Sequence, residues 1–174
     1  MTRSLSVSVF VFFLLATASA PIAAAIYSNG SNTATFDVTL TLQANCGITA
    51  NPLNFGTAGV LTTAINQQST LSVTCTNTTP YNVGLDAGTV TGSTVAGRLM
   101  AGTTTGNTGT TVGFQLYQDS GHTTVWGNTQ GTNTVGGTGT GAAQTINVYG
   151  QVPPQGTTPK PDTYQTTITA TVYF

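Results

Sequence analysis

The residues best suited to acid–base chemistry lie together in one short stretch. The only histidine, His122, closely follows Asp119 and Ser120. A hydrolytic triad needs a nucleophile, a base within hydrogen-bonding reach and an acid that orients the base. Asp, Ser and Gly side by side are also ordinary turn residues. We therefore interpret this stretch as a turn, and we predict that the protein is not an enzyme and has no catalytic residue.

Metal and cofactor sites have little support in the residue types present. A metal ion needs several His, Cys or carboxylate ligands, and the chain offers four scattered aspartates and no glutamate: Asp37, Asp86, Asp119 and Asp162. The glycine-rich runs lack the Gly-Lys-Ser or Gly-Lys-Thr of a phosphate-binding loop. We predict no metal and no cofactor. Trp126 with Tyr117 could stack on a sugar, but an aromatic pair of a hairpin packed into the core is the interpretation we favour.

The first 25 residues predict a secretion signal. Arg3 precedes an apolar run over residues 5–16, and small residues follow. Pro21 disfavours cleavage after Ala20, so cleavage after Ala25 is expected. An uncleaved membrane anchor is the alternative, but a span needs roughly 20 apolar residues, and Ser and Thr interrupt this stretch.

Charge is sparse in the rest of the chain. Beyond the signal the only basic residues are Arg98 and Lys160. Nucleic-acid binding requires clustered Lys and Arg, and a basic membrane-binding face requires the same, so both classes of function are excluded. A surface with few charges also lacks the usual protection of exposed strand edges against pairing.

Two cysteines, Cys46 and Cys75, favour one structural disulfide in an exported chain. A redox or metal pair would need a Cys-x-x-Cys spacing or nearby ligands. The disulfide would close a loop of about 29 residues and contribute roughly 3–4 kcal/mol. It implies an oxidising compartment such as a bacterial periplasm.

Short alternating runs separated by Gly, Asn, Pro and Thr predict an all-β sandwich. The predicted strands are residues 71–75, 81–85, 98–100, 112–117 and 146–150, with a hairpin between residues 117 and 126. Two Gly/Thr-rich segments, 102–111 and 127–141, are predicted to be long loops that are mobile or loosely ordered.

Both ends of the exported region alternate between apolar and polar residues. At the end of the chain one predicted strand has Tyr164, Thr166, Ile168, Ala170, Val172 and Phe174 on the same face. Near the start, the same alternation involves Ala34, Phe36, Val38, Leu40 and Leu42. Because no later strand of the chain can pair with the last one, we expect the subunit to pair end to end with copies of itself. The alternative is that the first segment is an ordinary strand of its own sandwich.

Several motifs occur together in an order that resembles one known family. They are Cys46, Leu53-Asn54-Phe55-Gly56, Ser72-Val73-Thr74-Cys75, Gln115-Leu116-Tyr117-Gln118-Asp119, Trp126-Gly127, the segment 146–153, Asp162-Thr163-Tyr164 and the final Val172-Tyr173-Phe174. Over residues 33–174 the chain resembles the spore coat protein U domain family, which includes the subunits of archaic chaperone–usher pili.

The resemblance implies an incomplete immunoglobulin-like sandwich that is completed by a donated N-terminal strand. Residues 26–44 would be the donor extension, with Ala34, Phe36, Val38, Leu40 and Leu42 as the inserted side chains, and residues 45–174 the pilin domain. The acceptor groove would include Tyr164, Ile168, Val172 and Phe174. Cys46 and Cys75 match the family's disulfide. A periplasmic chaperone would fill the groove before a neighbouring copy does.

The expected function is a structural pilus subunit for adhesion and biofilm formation, secreted through the periplasm and an outer-membrane usher to the cell surface. The alternative is a secreted spore or cell-surface coat protein that forms no long fibre. A tip adhesin is a third possibility, but adhesins of this system normally carry an extra binding domain, for which this chain is too short.

Overall fold

A computed structural model describes residues 30–174. The predicted signal, residues 1–25, and the first residues of the 26–44 extension lie outside this range. The chain divides into two units, one ending at Leu40 and the other comprising Thr41–Phe174. Residues 30–45 form no strand, and the part of the chain from residue 30 onward contains nine strands and no helix.

The strands form two antiparallel sheets. In chain order they are β1 Cys46–Ala50, β2 Ile65–Cys75, β3 Pro80–Leu85, β4 Arg98–Gly102, β5 Thr111–Tyr117, β6 Val135–Thr138, β7 Ala143–Val152, β8 Tyr164–Gln165 and β9 Ala170–Tyr173. One sheet has the order β1-β2-β7-β5-β4-β8 and the other β6-β3-β9. The predicted all-β class is confirmed.

Alternate residues of three strands from the two sheets form one shared core. The buried apolar positions are Leu71, Val73 and Cys75 of β2, Tyr81, Val83 and Leu85 of β3, and Val112, Phe114 and Leu116 of β5. In each strand these are alternate residues, whose side chains point to the face of the sheet that packs in the core. Trp126 is completely buried among them, and its indole nitrogen donates to the carbonyl of Val83 at 2.8 Å. The core therefore joins the two sheets as a sandwich.

A positive charge is also buried in this interior. Arg98, at the start of β4, donates to the backbone carbonyls of Leu85 at 3.0 Å and Trp126 at 2.7 Å, and to the side-chain oxygen of Gln115. Burial lowers the pKa of Arg98 to about 10 because it disfavours the charged form, and the nearby charge of Asp86 partly offsets this. These hydrogen bonds tie the start of β4 to the end of β3 and to the backbone at Trp126.

The prediction of long Gly/Thr-rich loops is wrong for residues 127–141, one of the two segments. Residues 127–141 include β6, which pairs with β3. A Cβ at Gly137 would lie 2.5 Å from the ring of Tyr81, so the missing side chain is what allows this close pairing. In the other segment, Asp162 accepts hydrogen bonds from Thr104 and Asn107 and holds the loop in place. Glycine and threonine here reflect close packing and side-chain hydrogen bonding.

The predicted continuous last strand is also corrected. Its first part, β8, pairs with β4, and its last part, β9, pairs with β3 of the other sheet. Between them the chain crosses from one sheet to the other, where the backbone N–H of Thr169 donates to Asp86 Oδ1 at 2.9 Å. The alternation itself persists through this crossing, with even positions from 164 to 170 half-buried and odd positions exposed.

Candidate functional site: an apolar groove between the sheets

A groove of about 560 Å³ opens between the two sheets of the unit Thr41–Phe174. Two stretches of chain contribute to it: residues 50–55, which begin at the end of β1, and residues 163–168 with Ala170, which lead from β8 into β9. The remaining lining residues are mainly core side chains: Ser69, Leu71, Leu85, Met100, Phe114, Leu116 and Val148. The interior of the groove is therefore predominantly apolar.

The strands beside the groove have unused backbone hydrogen-bonding capacity. β1 is the last strand of the six-stranded sheet and pairs only with β2, while β9 is the last strand of the other sheet and pairs only with β3. An edge strand presents a row of N–H and C=O groups to any further strand. Each of these strands reaches the groove at one residue, Ala50 at the end of β1 and Ala170 at the start of β9. The groove thus combines an apolar floor with two edges at which backbone pairing can begin.

The predicted acceptor residues fall into two groups. Tyr164 and Ile168 line the groove. Val172 lies opposite Val83 in the β3–β9 pair and packs against the core, and Phe174 is 59% exposed. Neither is among the residues that line the groove, because the chain has already crossed to the three-stranded sheet before it reaches them.

Residues 50–55 were not predicted to belong to the site. Leu53 and Phe55 enter the groove, and the Phe55 ring meets the Phe114 ring edge to face at 6.2 Å. Gly150 permits this, because a Cβ there would lie 2.8 Å from Leu53. The Leu53-Asn54-Phe55-Gly56 motif was visible in the sequence, but its place beside the last strand depends on tertiary pairing.

The predicted donor residues lie on a segment with no strand partner in the structure. Phe36, Val38, Leu40 and Leu42 are 82–85% exposed, and Ala34 is exposed as well. Isolated exposed apolar residues are normal on protein surfaces, but an alternating row of them is not. Residues 30–45 do not form an ordinary strand of their own sandwich in this structure.

The root of this segment is firmly attached to the sandwich. Asn45 donates its backbone N–H to the Thr76 hydroxyl at 3.1 Å and accepts the Thr76 N–H at 2.9 Å. The next residue, Cys46, forms a disulfide with Cys75, and these two residues are also the first register pair of β1 and β2. The exposed segment therefore begins at a rigid point.

The turn that contains His122 uses its polar groups internally. The Asp119 carboxylate accepts the backbone N–H groups of Thr124 and Thr123, and these bonds, chiefly that from Thr124, lower the pKa of Asp119. The hairpin forms as one bridge between Tyr117 and Val125. Tyr117 packs against His122, with ring centroids 5.2 Å apart, instead of pairing with the buried Trp126. This geometry supports the interpretation as a turn.

The described part of the chain has neither a metal-binding cluster nor a membrane-spanning helix. From residue 30 onward, no group of three or more His, Cys, Asp or Glu side chains is placed to hold a metal ion. In the same range there is no helix of the length and hydrophobicity needed to cross a membrane.

Comparison with solved structures identifies a similar fold. The chain resembles a chain of the CsuC–CsuE chaperone–tip adhesion subunit pre-assembly complex from archaic chaperone–usher Csu pili of Acinetobacter baumannii, with a TM-score of 0.54 and 24% sequence identity. The match covers 77% of this chain and 40% of the other, so this chain spans less than half the length of that relative. At this identity the likeness establishes the fold.

The sequence was compared with individual curated proteins and with models of protein families. No curated protein matches the chain significantly. The family model of the Spore Coat Protein U domain matches residues 32–171, which include the exposed alternating segment and all nine strands except the end of β9. A match over most of the chain establishes the family: this protein belongs to the Spore Coat Protein U domain family.

Proposed function

We propose that the protein is a subunit of an archaic chaperone–usher pilus, and that residues 34–42 of one copy insert as a strand into the groove of the next. The observation that carries this proposal is the coexistence of an open apolar groove and an exposed, alternating apolar segment in one chain. Each is unfavourable alone in water, and each can cover the other.

The dimensions of the two parts are compatible. Nine residues from Ala34 to Leu42 span about 26 Å as an extended strand, at roughly 3.3 Å per residue. The wall formed by residues 163–170 has nearly the same length in residues. One face of the inserted strand would cover the apolar floor, and its backbone would pair with the free edges of β1 and β9.

The expected gain is large compared with ordinary domain stability. Burying the four large side chains of this segment at roughly 1.5–3 kcal/mol each gives on the order of 6–12 kcal/mol before entropic costs. A typical domain is stable by roughly 5–15 kcal/mol. A subunit with an empty groove should therefore be marginally stable, and the complemented subunit should be highly stable.

This arrangement implies the partners and the route of assembly. Residues 26–44 act as the donor extension and residues 45–174 as the acceptor domain. A periplasmic chaperone covers the groove before assembly, an outer-membrane usher exports the subunits, and the fibre serves adhesion and biofilm formation at the cell surface. The chaperone is supported by the similar solved structure, which is itself a complex of a chaperone and a pilus subunit.

The test is gel mobility of exported protein, loaded with and without boiling, for variants on the two faces of the donor segment. Phe36→Asp, Val38→Asp and Leu40→Asp together place charges on the apolar face. Thr35→Asp, Thr39→Asp and Thr41→Asp add the same charge to the opposite face and serve as the matched control. We expect a ladder of multimers without boiling in the wild type and the control, and none in the apolar-face variant.

The result that would overturn the proposal is also specific. If the wild-type protein runs as a monomer under every condition, the chain does not polymerise by strand donation, and a coat protein without a long fibre becomes the better interpretation. If the apolar-face variant keeps the ladder, the polymer forms through another surface.

A further inference from the structure

We propose that the outer face of the six-stranded sheet binds a neutral polysaccharide. We call this surface the polar face and define it as the even positions 66–74 of β2, the odd positions 143–151 of β7 and Tyr117 of β5. These positions alternate with the core residues of the same strands, so their side chains point away from the core. None of them lines the groove, and the inference does not depend on strand donation.

The first argument is a row of aromatic rings across the strands. Tyr149 of β7 lies opposite Tyr117 of β5 and, on its other side, opposite Gln68 of β2. The Tyr117 ring in turn meets the His122 ring edge to face at 5.2 Å. Both tyrosines are half-buried, so part of each ring remains accessible. The C–H face of a pyranose ring is apolar and packs on accessible aromatic surface of this kind.

The second argument is the set of amide groups beside the tyrosines. Gln151 lies opposite Asn66, and its Nε2 donates to Asn66 Oδ1 at 2.9 Å. Asn147 Nδ2 donates to the Tyr149 hydroxyl at 3.3 Å. A side-chain amide has two donor hydrogens and an acceptor oxygen with two lone pairs, and one such bond uses only part of this capacity. Sugar hydroxyls both donate and accept, so they can pair with the remaining groups.

The third argument is the absence of charge. β2, β5 and β7 contain no Asp, Glu, Lys, Arg or His. The next charged residue along the chain after Tyr117 is Asp119, whose carboxylate accepts the backbone N–H groups of Thr123 and Thr124 within the turn. A polyanion, whether nucleic acid or acidic polysaccharide, would therefore find no cation to pair with on this face. The complementary polymer is uncharged.

The composition of the polar face also disfavours the other occupants of a sheet surface. Ala143 is the only purely aliphatic side chain among the outward positions of β2 and β7. Interfaces between identical copies are more apolar than ordinary surface, and insertion into a lipid surface needs a large apolar face. A polyhydroxylated chain, with apolar ring faces and polar edges, matches both the tyrosines and the amides.

The fourth argument is rigidity. β2 and β7 pair over ten consecutive residues beneath the polar face. At its end, the left-handed backbone of His122, with φ of 55°, is held by the hydrogen bond from its N–H to Asp119 O at 3.1 Å. A surface that is already fixed in this way loses little conformational entropy on binding.

The experiment is saturation-transfer difference NMR on the full exported chain with soluble hexasaccharides. The neutral probes are cellohexaose, mannohexaose and maltohexaose, and the charged probe is hexagalacturonate. Tyr149→Val removes the central ring and keeps a side chain that suits a strand. Tyr173→Val is the matched control, because Tyr173 is also half-buried but lies on the three-stranded sheet, opposite Asn82. Gln68→Ala shortens an exposed amide without touching the core.

We expect a signal from at least one neutral probe and none from hexagalacturonate. Tyr149→Val should lower the signal about fivefold or more, as for truncation of an aromatic residue at the centre of an interface. Tyr173→Val should leave it unchanged. Gln68→Ala should lower it about twofold, the effect of losing one neutral hydrogen bond, and this variant tests the inference even if Tyr149→Val fails to fold.

Three results would overturn the inference. One is the absence of a signal from every neutral probe, and another is a signal of equal strength from hexagalacturonate. The third is a signal that neither Tyr149→Val nor Gln68→Ala lowers. Lateral association of wild-type molecules that Tyr149→Val abolishes, with no sugar signal, would assign the polar face to a second copy of the chain instead.

Discussion

Residues 34–42 and residues 164–172 carry the same sequence pattern and have opposite environments. Residues 34–42 alternate apolar and polar residues throughout, and residues 164–172 do so with one exception, Thr166 on the otherwise apolar face. In the first segment the apolar side chains are more than four-fifths exposed, and in the second Ile168, Ala170 and Val172 pack against the core. Alternation thus encodes a strand with one face to bury. It does not encode which sheet, or which copy of the chain, will bury that face.

The difference lies in the partners that each segment finds. The second segment has free edges of β4 and β3 within its own fold and pairs with both in turn. The first segment forms no strand within residues 30–174, the part of the chain that the structure describes, and it leads into a disulfide that fixes its point of departure. The same alternating pattern therefore gives internal packing in one case and a row of exposed apolar side chains in the other.

The largest expected difference in stability is between two variants that each carry one new charge, one in each segment. Val172→Asp places a carboxylate at a half-buried position that packs against the core opposite the fully buried Val83, and it should cost about 3–5 kcal/mol of unfolding free energy. Val38→Asp should change the stability of the monomeric fraction by less than about 0.5 kcal/mol, as at other exposed sites. Urea unfolding followed by Trp126 fluorescence measures both. Equal losses in the two variants would show that the first segment packs on its own domain.

An intermediate effect is expected from the disulfide, which lies where the exposed first segment joins the sandwich. Replacing both cysteines, Cys46→Ser with Cys75→Ser, removes a crosslink between residues 29 apart in the sequence. The loss should be roughly 3–4 kcal/mol, because the unfolded chain regains the freedom of that loop. Reducing the wild-type protein with dithiothreitol should give the same urea midpoint as the double variant. An unchanged midpoint after either treatment would mean that β1 is held by its hydrogen bonds alone.

The smallest effect concerns pH and contrasts a carboxylate held by the folded domain with one on the extended segment. The side-chain amide of Asn107, with further bonds from Thr104 and Thr163, holds the pKa of Asp162 well below its usual range. A depressed folded-state pKa gives stability that is present above the unfolded pKa of about 3.9 and is lost as pH falls below it.

Asp162→Asn should therefore lower the Tm at pH 7 and reduce the drop in Tm between pH 7 and pH 3. Asp37→Asn removes the same charge from the exposed segment and is the matched control. Thermal unfolding at the two pH values tests this. A pH 7-to-3 drop that is as large in Asp162→Asn as in Asp37→Asn would show that these hydrogen bonds do not couple to folding.

The strands were readable from the sequence wherever a period-two apolar pattern coincided with burial, as in β3 and β5. The prediction failed where other forces decide the structure. β6 consists of Val135, two glycines and a threonine, and it forms because Tyr81 leaves room only for glycine. The break in the last strand follows from a change of sheet, which alternation cannot express. Arg98 looks like a surface residue in sequence, and only the convergence of buried carbonyls explains its position.

Only part of the candidate site could be predicted from the sequence, because local alternation identifies strands and not the contacts between distant segments. Tyr164 and Ile168 were identified because they belong to a long alternation, and both line the groove. Leu53 and Phe55 were missed as site residues because their segment is irregular and reaches the groove only after β1 has paired with β2. The groove is formed by residues that are distant in sequence, so no local sequence pattern identifies residues 50–55 as part of it.

The position of the disulfide determines how the domain would bear mechanical load. Tension that enters through residues 42–45 arrives at the first residue pair of β1, where hydrogen bonds alone would peel apart one after another. The Cys46–Cys75 bond instead passes the force directly into β2. That strand is held to β7 over ten consecutive residue pairs. The covalent link thus turns a weak unzipping geometry into a pull on the most extensively paired strand of the sandwich.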